Sequence, residues 1–168
     1  MSAISAIQRL VECESPTEDL SACHLVIDLA VEIANEVLST PAEKIIENGR
    51  PIFWWGSKKP KITLLCHLDT VWPKGSFNPI WQINGDTATG PGVFDMKAGF
   101  IQALYSLANL KNISDKVALI ATTDEETGST TSKDLIIRLA KSSDAVLVFE
   151  ASLDGKVKTG RKGTAMYQ

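Results

Sequence analysis

Apolar residues recur at two spacings along this chain, and the change from one to the other marks out its elements. Over residues 3–13, Ile4, Ile7, Leu10 and Val11 fall at helical spacing and predict an amphipathic first helix. Glu14-Ser15-Pro16-Thr17 breaks it, and Thr17 or Ser15 is placed to cap a second helix whose start carries Glu18 and Asp19. That helix runs to about Leu38, with Leu25, Leu29, Ile33 and Val37 along its face. Residues 42–48 and 50–56 read as a strand pair or a strand and a loop. Trp54-Trp55-Gly56 ahead of Ser57-Lys58-Lys59-Pro60 fits an exposed hairpin turn. Ile62 to Cys66 is a short apolar run bounded by turn residues, the pattern of a strand buried in a parallel sheet.

Beyond Pro73 the chain is rich in turns, and Asn84-Gly85 between Trp81-Gln82-Ile83 and Thr87-Ala88-Thr89 is a hairpin signal. Ile101, Leu104, Leu107 and Leu110 stay in register through a helix at 97–110. Val117 to Thr122 reads as a buried strand, 130–141 as a helix, and Ala145 to Phe149 as a further strand. Strands alternating with helices predict an α/β fold built on a mainly parallel sheet. There is no internal repeat and no low-complexity tract.

A chain of 168 residues is long enough for one domain with a real core, and 44% hydrophobic with 22% charged residues is ordinary for a soluble protein. A net charge of −3 gives no basic footprint for nucleic acid or anionic lipid. No apolar stretch is long enough to span a bilayer, and the first residues lack a signal-peptide layout. Cys13, Cys23 and Cys66 are odd in number and lack metal-type spacing, which reads as reduced thiols in a cytoplasmic protein. Cys66 is next to His67, but neighbours on a strand face opposite ways, so its expected place is the core.

Chemistry enters where the apolar runs end. His67 closes the 62–66 run, with Asp69 two residues on; Asp124, Glu125 and Glu126 follow the 117–122 strand; Glu150 follows the last; Asp95 opens the helix at 97. In an open α/β sheet, ligands gather outside the carboxyl ends of the strands. Acids brought there from distant positions repel one another unless a cation neutralises them, and a mixed imidazole and carboxylate set suits zinc, manganese or cobalt. So many carboxylates with one histidine exceed the needs of a single tetrahedral zinc and favour two ions sharing a bridging carboxylate. Glu125 and Glu126 diverge as neighbours, so one can hold metal while the other handles protons. Each residue also has a plainer reading: Asp95 as a helix N-cap, Glu125-Glu126 as a solvated loop, Glu150 as the start of a surface turn. His24 lies on the second helix, outside this set. Gly90-Pro91-Gly92 is not a dinucleotide loop, because the third glycine is missing and a proline interrupts it.

His67-Leu-Asp69-Thr-Val-Trp-Pro73, Gly90-Pro-Gly92-Val-Phe-Asp95-Met-Lys-Ala-Gly99, Asp124-Glu-Glu126-Thr-Gly-Ser129 and Phe149-Glu150 resemble, in order and spacing, the motifs of the M20 metallopeptidases. That family includes glutamate carboxypeptidases, acetylornithine deacetylase and succinyl-diaminopimelate desuccinylase. Leu10-Val-Glu-Cys-Glu-Ser-Pro16 is similar to its first helix. The resemblance implies a three-layer α/β/α, zinc-peptidase-like domain with its metal site at the carboxyl ends of the strands. It implies two divalent ions, zinc first, with cobalt or manganese as alternatives. By the same resemblance His67 and Glu150 hold one ion, Asp95 bridges both, and Glu126 holds the second. Asp69 orients His67, and Glu125 is the general base toward the attacking water. The substrate expected is a peptide or N-acyl amino acid, cut at an amide bond; Glu150 and the His-Leu-Asp-Thr-Val-Trp-Pro wording lean toward the carboxypeptidase branch.

Members of that family are much longer, with a lid domain that often forms a homodimer surface and a later return that supplies another histidine ligand. Residues 1–168 therefore read as the N-terminal portion of such a catalytic domain, without lid or return. With His67 alone, the second metal site lacks its histidine, and apolar surface normally covered by the return is expected to be exposed. The chain by itself is expected to be inactive, and a non-catalytic metal-binding or interaction module is the alternative reading.

Overall fold

The computed structural model describes residues 1–160; the expected lead into a lid at 160–168 lies largely outside the described residues. In chain order the elements are α1 (Ala3–Glu12), α2 (Leu20–Val37), β1 (Glu43–Glu47), β2 (Arg50–Gly56), β3 (Ile62–His67), β4 (Gln82–Asn84) and β5 (Thr87–Thr89). A tight irregular turn over Val93–Lys97 leads into α3 (Ala98–Ala108), followed by β6 (Val117–Thr122), a short 3-10 turn at Glu125–Thr127, α4 (Lys133–Ser142) and β7 (Ala145–Val148).

The main sheet runs β1-β2-β6-β3-β7. Its β6-β3-β7 part is parallel, as alternation of strands and helices predicts, whereas β1 and β2 join it antiparallel. β1 and β2 are a hairpin turning through Asn48 and Gly49, both at positive φ. β4 and β5 form a separate hairpin at Asn84-Gly85. Ser57–Pro60 is not a hairpin turn, because β6 lies between β2 and β3. Trp54 and Trp55 are buried rather than exposed, inside β2.

Alternation along the central strands explains the layers. Phe53 and Trp55 of β2 with Leu119 and Ala121 of β6 face α1, α2 and α3, in a core that also holds Leu10, Ile27, Ile33, Phe100 and Leu104. Ile52 and Trp54 with Ala118 and Ile120 point the other way, onto Leu135 and Leu139 of α4. Both faces of the sheet are covered, which is the expected three-layer α/β/α arrangement. β3 leaves its carboxyl end toward α3 on one face and β6 leaves toward α4 on the other. A crevice forms at such a divergence.

Two helix readings change in detail. α2 is capped by Asp19, whose carboxylate accepts from the Ala22 N–H at 2.9 Å, rather than by Ser15 or Thr17. Its buried face is Cys23, Val26, Ile27, Ala30, Ile33 and Ala34, while Leu25 is 61% exposed. A strict four-residue step drifts around a helix of 3.6 residues per turn, so the row from exposed Leu25 reaches the core only at Ile33. Along β7, the edge strand, Leu147 and Val148 are 50% and 55% exposed, one on each face of the sheet. No helix among the described residues is long and apolar enough to cross a membrane.

Phe100 is fully buried and meets Phe53 edge to face at 5.0 Å between ring centroids. Phe100→Ala is expected to cost about 3–5 kcal/mol in urea unfolding, against less than about 0.5 kcal/mol for Ile4→Ala on the exposed side of α1. Equal losses at the two positions would contradict this placement of the core.

Candidate metal centre

Six side chains from four chain segments meet at the crevice. His67, the last residue of β3, is 1% exposed and pairs with Thr122 of β6 in the sheet register. Its Nδ1 sits 3.1 Å from the Asp69 carbonyl oxygen and 3.3 Å from Asp69 Oδ1, so the ring donates toward Asp69 and turns Nε2 to the crevice. Around Nε2 lie Asp95 Oδ1 at 3.0 Å, Glu150 Oε1 at 3.6 Å and Glu125 Oε2 at 3.9 Å. Two sets of donor atoms fall within 4.8 Å of one another: His67, Asp95 and Glu126, and His67, Glu125 and Glu150. Every site residue expected from the sequence is in or beside this cluster; His24, on α2, belongs to neither set.

The segments are shaped to deliver these groups. Asp95 does not cap α3; it lies in the turn before it, where Asp95 and Met96 leave helical backbone angles and their peptide bond is cis. Gly92, at φ 71°, starts that turn, and a Cβ there would press on Thr70. Gly99 lets the first turn of α3 lie against the Phe149 carbonyl, which brings Glu150 beside Asp95; any Cβ at Gly99 would collide with that oxygen. Glu125 and Glu126 are held through their backbone, since both N–H groups point at the buried Asp69 carboxylate, at 3.4 and 3.2 Å. They are a fixed turn, not a free solvated loop.

Several residues that matter here carried no clear signal in the sequence. Asp124, buried, accepts from the Thr131 and Ser132 N–H groups and from both their hydroxyls, fastening the far end of the acidic turn. Burial works against its charge, but those Ser132 and Thr131 donors hold its carboxyl below the usual range. Lys97 is fully buried and donates to the Leu10 and Cys13 carbonyls at the end of α1, at 2.9 and 3.0 Å; burial pushes it down to about 8. Thr17 donates to Asp69 Oδ2 at 2.8 Å and Ser15 to the Leu68 carbonyl at 2.5 Å. Partners fifty residues away leave no local trace.

Electrostatically the crevice is short of positive charge. Burial alone would lower the His67 imidazole, yet Asp69, Glu125 and Glu150 outweigh it and raise it to about 9. Burial and then Asp95 raise Glu150 to about 7, and burial with the neighbouring acids raises Glu126. The site thus holds on to protons that a divalent cation would displace, and its imidazole and carboxylate donors fit such an ion. Beside His67 is a cavity of about 280 Å³ bordered by Glu125, Glu150 and Lys133. An open groove of about 720 Å³ runs past Glu126 between Thr17–Ser21 and Thr70–Lys74. Cys66 is buried in the core and belongs to neither donor set, and burial pushes its thiol up.

Known proteins resemble this chain in sequence and in fold. Residues 63–165, which contain His67, the acidic turn and Glu150, match the model of the peptidase family M20/M25/M40. Over 114 residues the chain is 38% identical to carboxypeptidase G2 of Pseudomonas sp. (strain RS-16), covering 64% of this chain and 28% of that protein. The fold resembles the M20 family metallo-carboxypeptidase Sso-CP2 from Sulfolobus solfataricus (TM-score 0.73, 18% identity, 91% of this chain and 38% of that one). It also resembles human carnosine dipeptidase 1 (TM-score 0.63, 16% identity, 87% and 38%). The chain therefore spans roughly a third of the length of these relatives. With the family match covering more than half of its residues, the chain belongs to peptidase family M20/M25/M40.

Proposed function

We propose that this chain carries the metal-binding half of an amidohydrolase site that acts on a peptide or N-acyl amino acid. The observation that carries the reading is the convergence of Asp95, Glu125 and Glu150 on His67 Nε2 within 3.9 Å, at the carboxyl ends of the parallel strands. His67 and Glu150 would hold one divalent ion, Asp95 would be shared, and Glu126 would hold a second, with zinc the first choice and cobalt or manganese able to replace it. A bound ion would supply Lewis-acid polarisation of the scissile carbonyl and acidify a water.

The chain's own residues do the rest. Asp69 keeps His67 protonated on Nδ1, so that Nε2 offers its lone pair to the crevice. Glu125, half-exposed at the cavity, takes a proton from the attacking water and returns it to the leaving amine, a transfer that needs the carboxylate within reach of both. Glu126, its neighbour, is turned toward Asp95 and the groove and does not share that role. The likeness to carboxypeptidase G2 supports the carboxypeptidase branch, with a peptide cut at its C-terminal end. The free thiols support a cytoplasmic setting, and a longer parent dimerising through a lid fits the greater length of the relatives. His67 is the one histidine at the site, which favours a single tightly held ion and no turnover for residues 1–168 on their own.

Calorimetric titration with zinc is expected to show one tight ion, with affinity falling more than about 100-fold in His67→Ala, beyond what loss of an outer partner costs. Failure to bind would sink the metal reading, and two tight ions would contradict the single-site expectation. Zinc-loaded chain assayed on N-acyl amino acids and C-terminal glutamate peptides is expected to be silent. Turnover that Glu125→Gln abolishes with zinc still bound would overturn inactivity and establish the base; turnover indifferent to Glu125→Gln would remove Glu125 from that role.

The raised groups set a pH dependence. Glu150, raised from 4.5 to about 7, and His67, raised from 6.5 to about 9, both bind protons more readily in the folded chain. Their contribution is present at low pH and is lost as pH rises through those values, so the metal-free chain should melt at lower temperature at about pH 9 than at about pH 6. Zinc competes with the same protons, so its stabilisation should be larger at about pH 8 than at about pH 6. A zinc effect that grows toward acid would contradict the assignment of these two groups.

A further inference from the structure

We propose that Thr17 is a positioning residue of this centre: its hydroxyl proton fixes the plane of the Asp69 carboxylate, and through it the direction of His67 Nε2 and the path of the Glu125-Glu126 turn. The inference rests on the metal-centre reading above and adds to it a group from outside the strand-end motifs.

The geometry is specific. Asp69 is fully buried, and each of its oxygens has two tasks. Oδ1 faces His67 Nδ1 at 3.3 Å and the Glu125 N–H at 3.4 Å; Oδ2 takes the Glu126 N–H at 3.2 Å and the Thr17 hydroxyl at 2.8 Å. The Thr17 contact is the shortest of the four. Thr17 Oγ1 has a second acceptor, the Thr70 carbonyl, at 3.4 Å, but its one proton goes to the nearer and charged oxygen. Without that proton the carboxylate keeps the two long amide contacts and His67 Nδ1 at 3.3 Å, and Oδ2 is left with the Glu126 N–H alone, so the carboxylate can turn and move the imidazole and the acidic turn together.

Thr17 itself is held from three sides. Residues 15–17 run beside 68–70 as a short parallel bridge, with the Thr17 N–H on the Thr70 carbonyl at 3.1 Å and the Thr70 N–H on the Ser15 carbonyl at 2.9 Å. The Ser15 hydroxyl closes on the Leu68 carbonyl. Arg50 Nη1 donates to the Thr17 carbonyl at 2.9 Å and to the Thr123 carbonyl at 2.6 Å, tying this loop to the end of β6 just before the acidic turn. A loop fastened so closely to two strand ends, with its one hydroxyl aimed at the buried acid, is built to orient that acid.

The test compares Thr17→Val, which keeps the volume and removes the proton, with Thr17→Ser, which keeps the proton. Zinc affinity by competition is expected to fall about 10–100-fold in Thr17→Val, with a changed visible spectrum of the cobalt form, and to return within about 3-fold of the unsubstituted chain in Thr17→Ser. Unchanged affinity and spectrum in Thr17→Val would overturn the proposal, as would Thr17→Ser behaving like Thr17→Val, since packing alone would then be at work. Should Thr17→Val not fold, the unsubstituted metal-free chain decides: a slowly exchanging Thr17 hydroxyl proton seen by NMR is expected, and one lost to rapid exchange overturns the inference. An unsubstituted chain that binds neither zinc nor cobalt would bring down the metal-centre reading, while the hydroxyl signal would still decide whether Thr17 holds Asp69.

Discussion

Five carboxylates gather around one imidazole at the end of β3, and anions so close together are stable only if positive charge sits among them. The rest of the structure answers to that constraint. Burial and the neighbouring Asp95 raise Glu150, while Asp69, Glu125 and Glu150 raise His67 against its own burial, so both hold protons above their ordinary range. A divalent ion meets the same need with fixed geometry. Repulsion among the acids is therefore the condition that a cation bound in this crevice would relieve.

Holding the acids against their repulsion takes a rigid frame, and the fold provides it at three depths. The sheet sets the strand ends, since β3 and β6 are paired residue by residue up to His67 and Thr122. The turns after those strands are fastened by buried side chains: Asp124 gathers four donors from Thr131 and Ser132, and Asp69 gathers the amides of Glu125 and Glu126. Close packing of α3 against Phe149, which only Gly99 allows, then brings Glu150 to the same point. The two turn fastenings each use a buried carboxylate that collects several donors, the arrangement that favours one conformation over many.

Much of this was legible in the chain. Apolar runs ending in His67, Thr122 and Phe149 marked the strands, and the residues just past them carried the chemistry. The order of motifs then pointed to the family. The amphipathic pattern also placed α3 and α4 close to their observed bounds. Less legible were features that depend on what a residue meets. Leu25 and Ile4 fit a helical row yet face solvent, because the rows that are buried begin at Ala22 in α2 and at Ala6 in α1 instead. Thr17 and Ser15 have the chemistry of helix caps, and only their position beside 68–70 turns them to Asp69 and Leu68. Trp54 and Trp55 next to a Gly-Ser-Lys-Lys-Pro stretch read as a turn until β6 was seen to pair with them.

The sequence by itself determined the elements and the identity of the reactive groups, because period, apolar run and strand-end position are properties of neighbouring residues. Only the tertiary structure decided the strand order, the antiparallel edge, the helix faces in use, and the outer hydrogen bonds that aim His67. Those depend on contacts such as Thr17 with Asp69 and Arg50 with Thr123, whose partners lie 52 and 73 residues apart and meet only when the sheet has closed. A hydroxyl gives no local sign of which distant carboxylate it will serve.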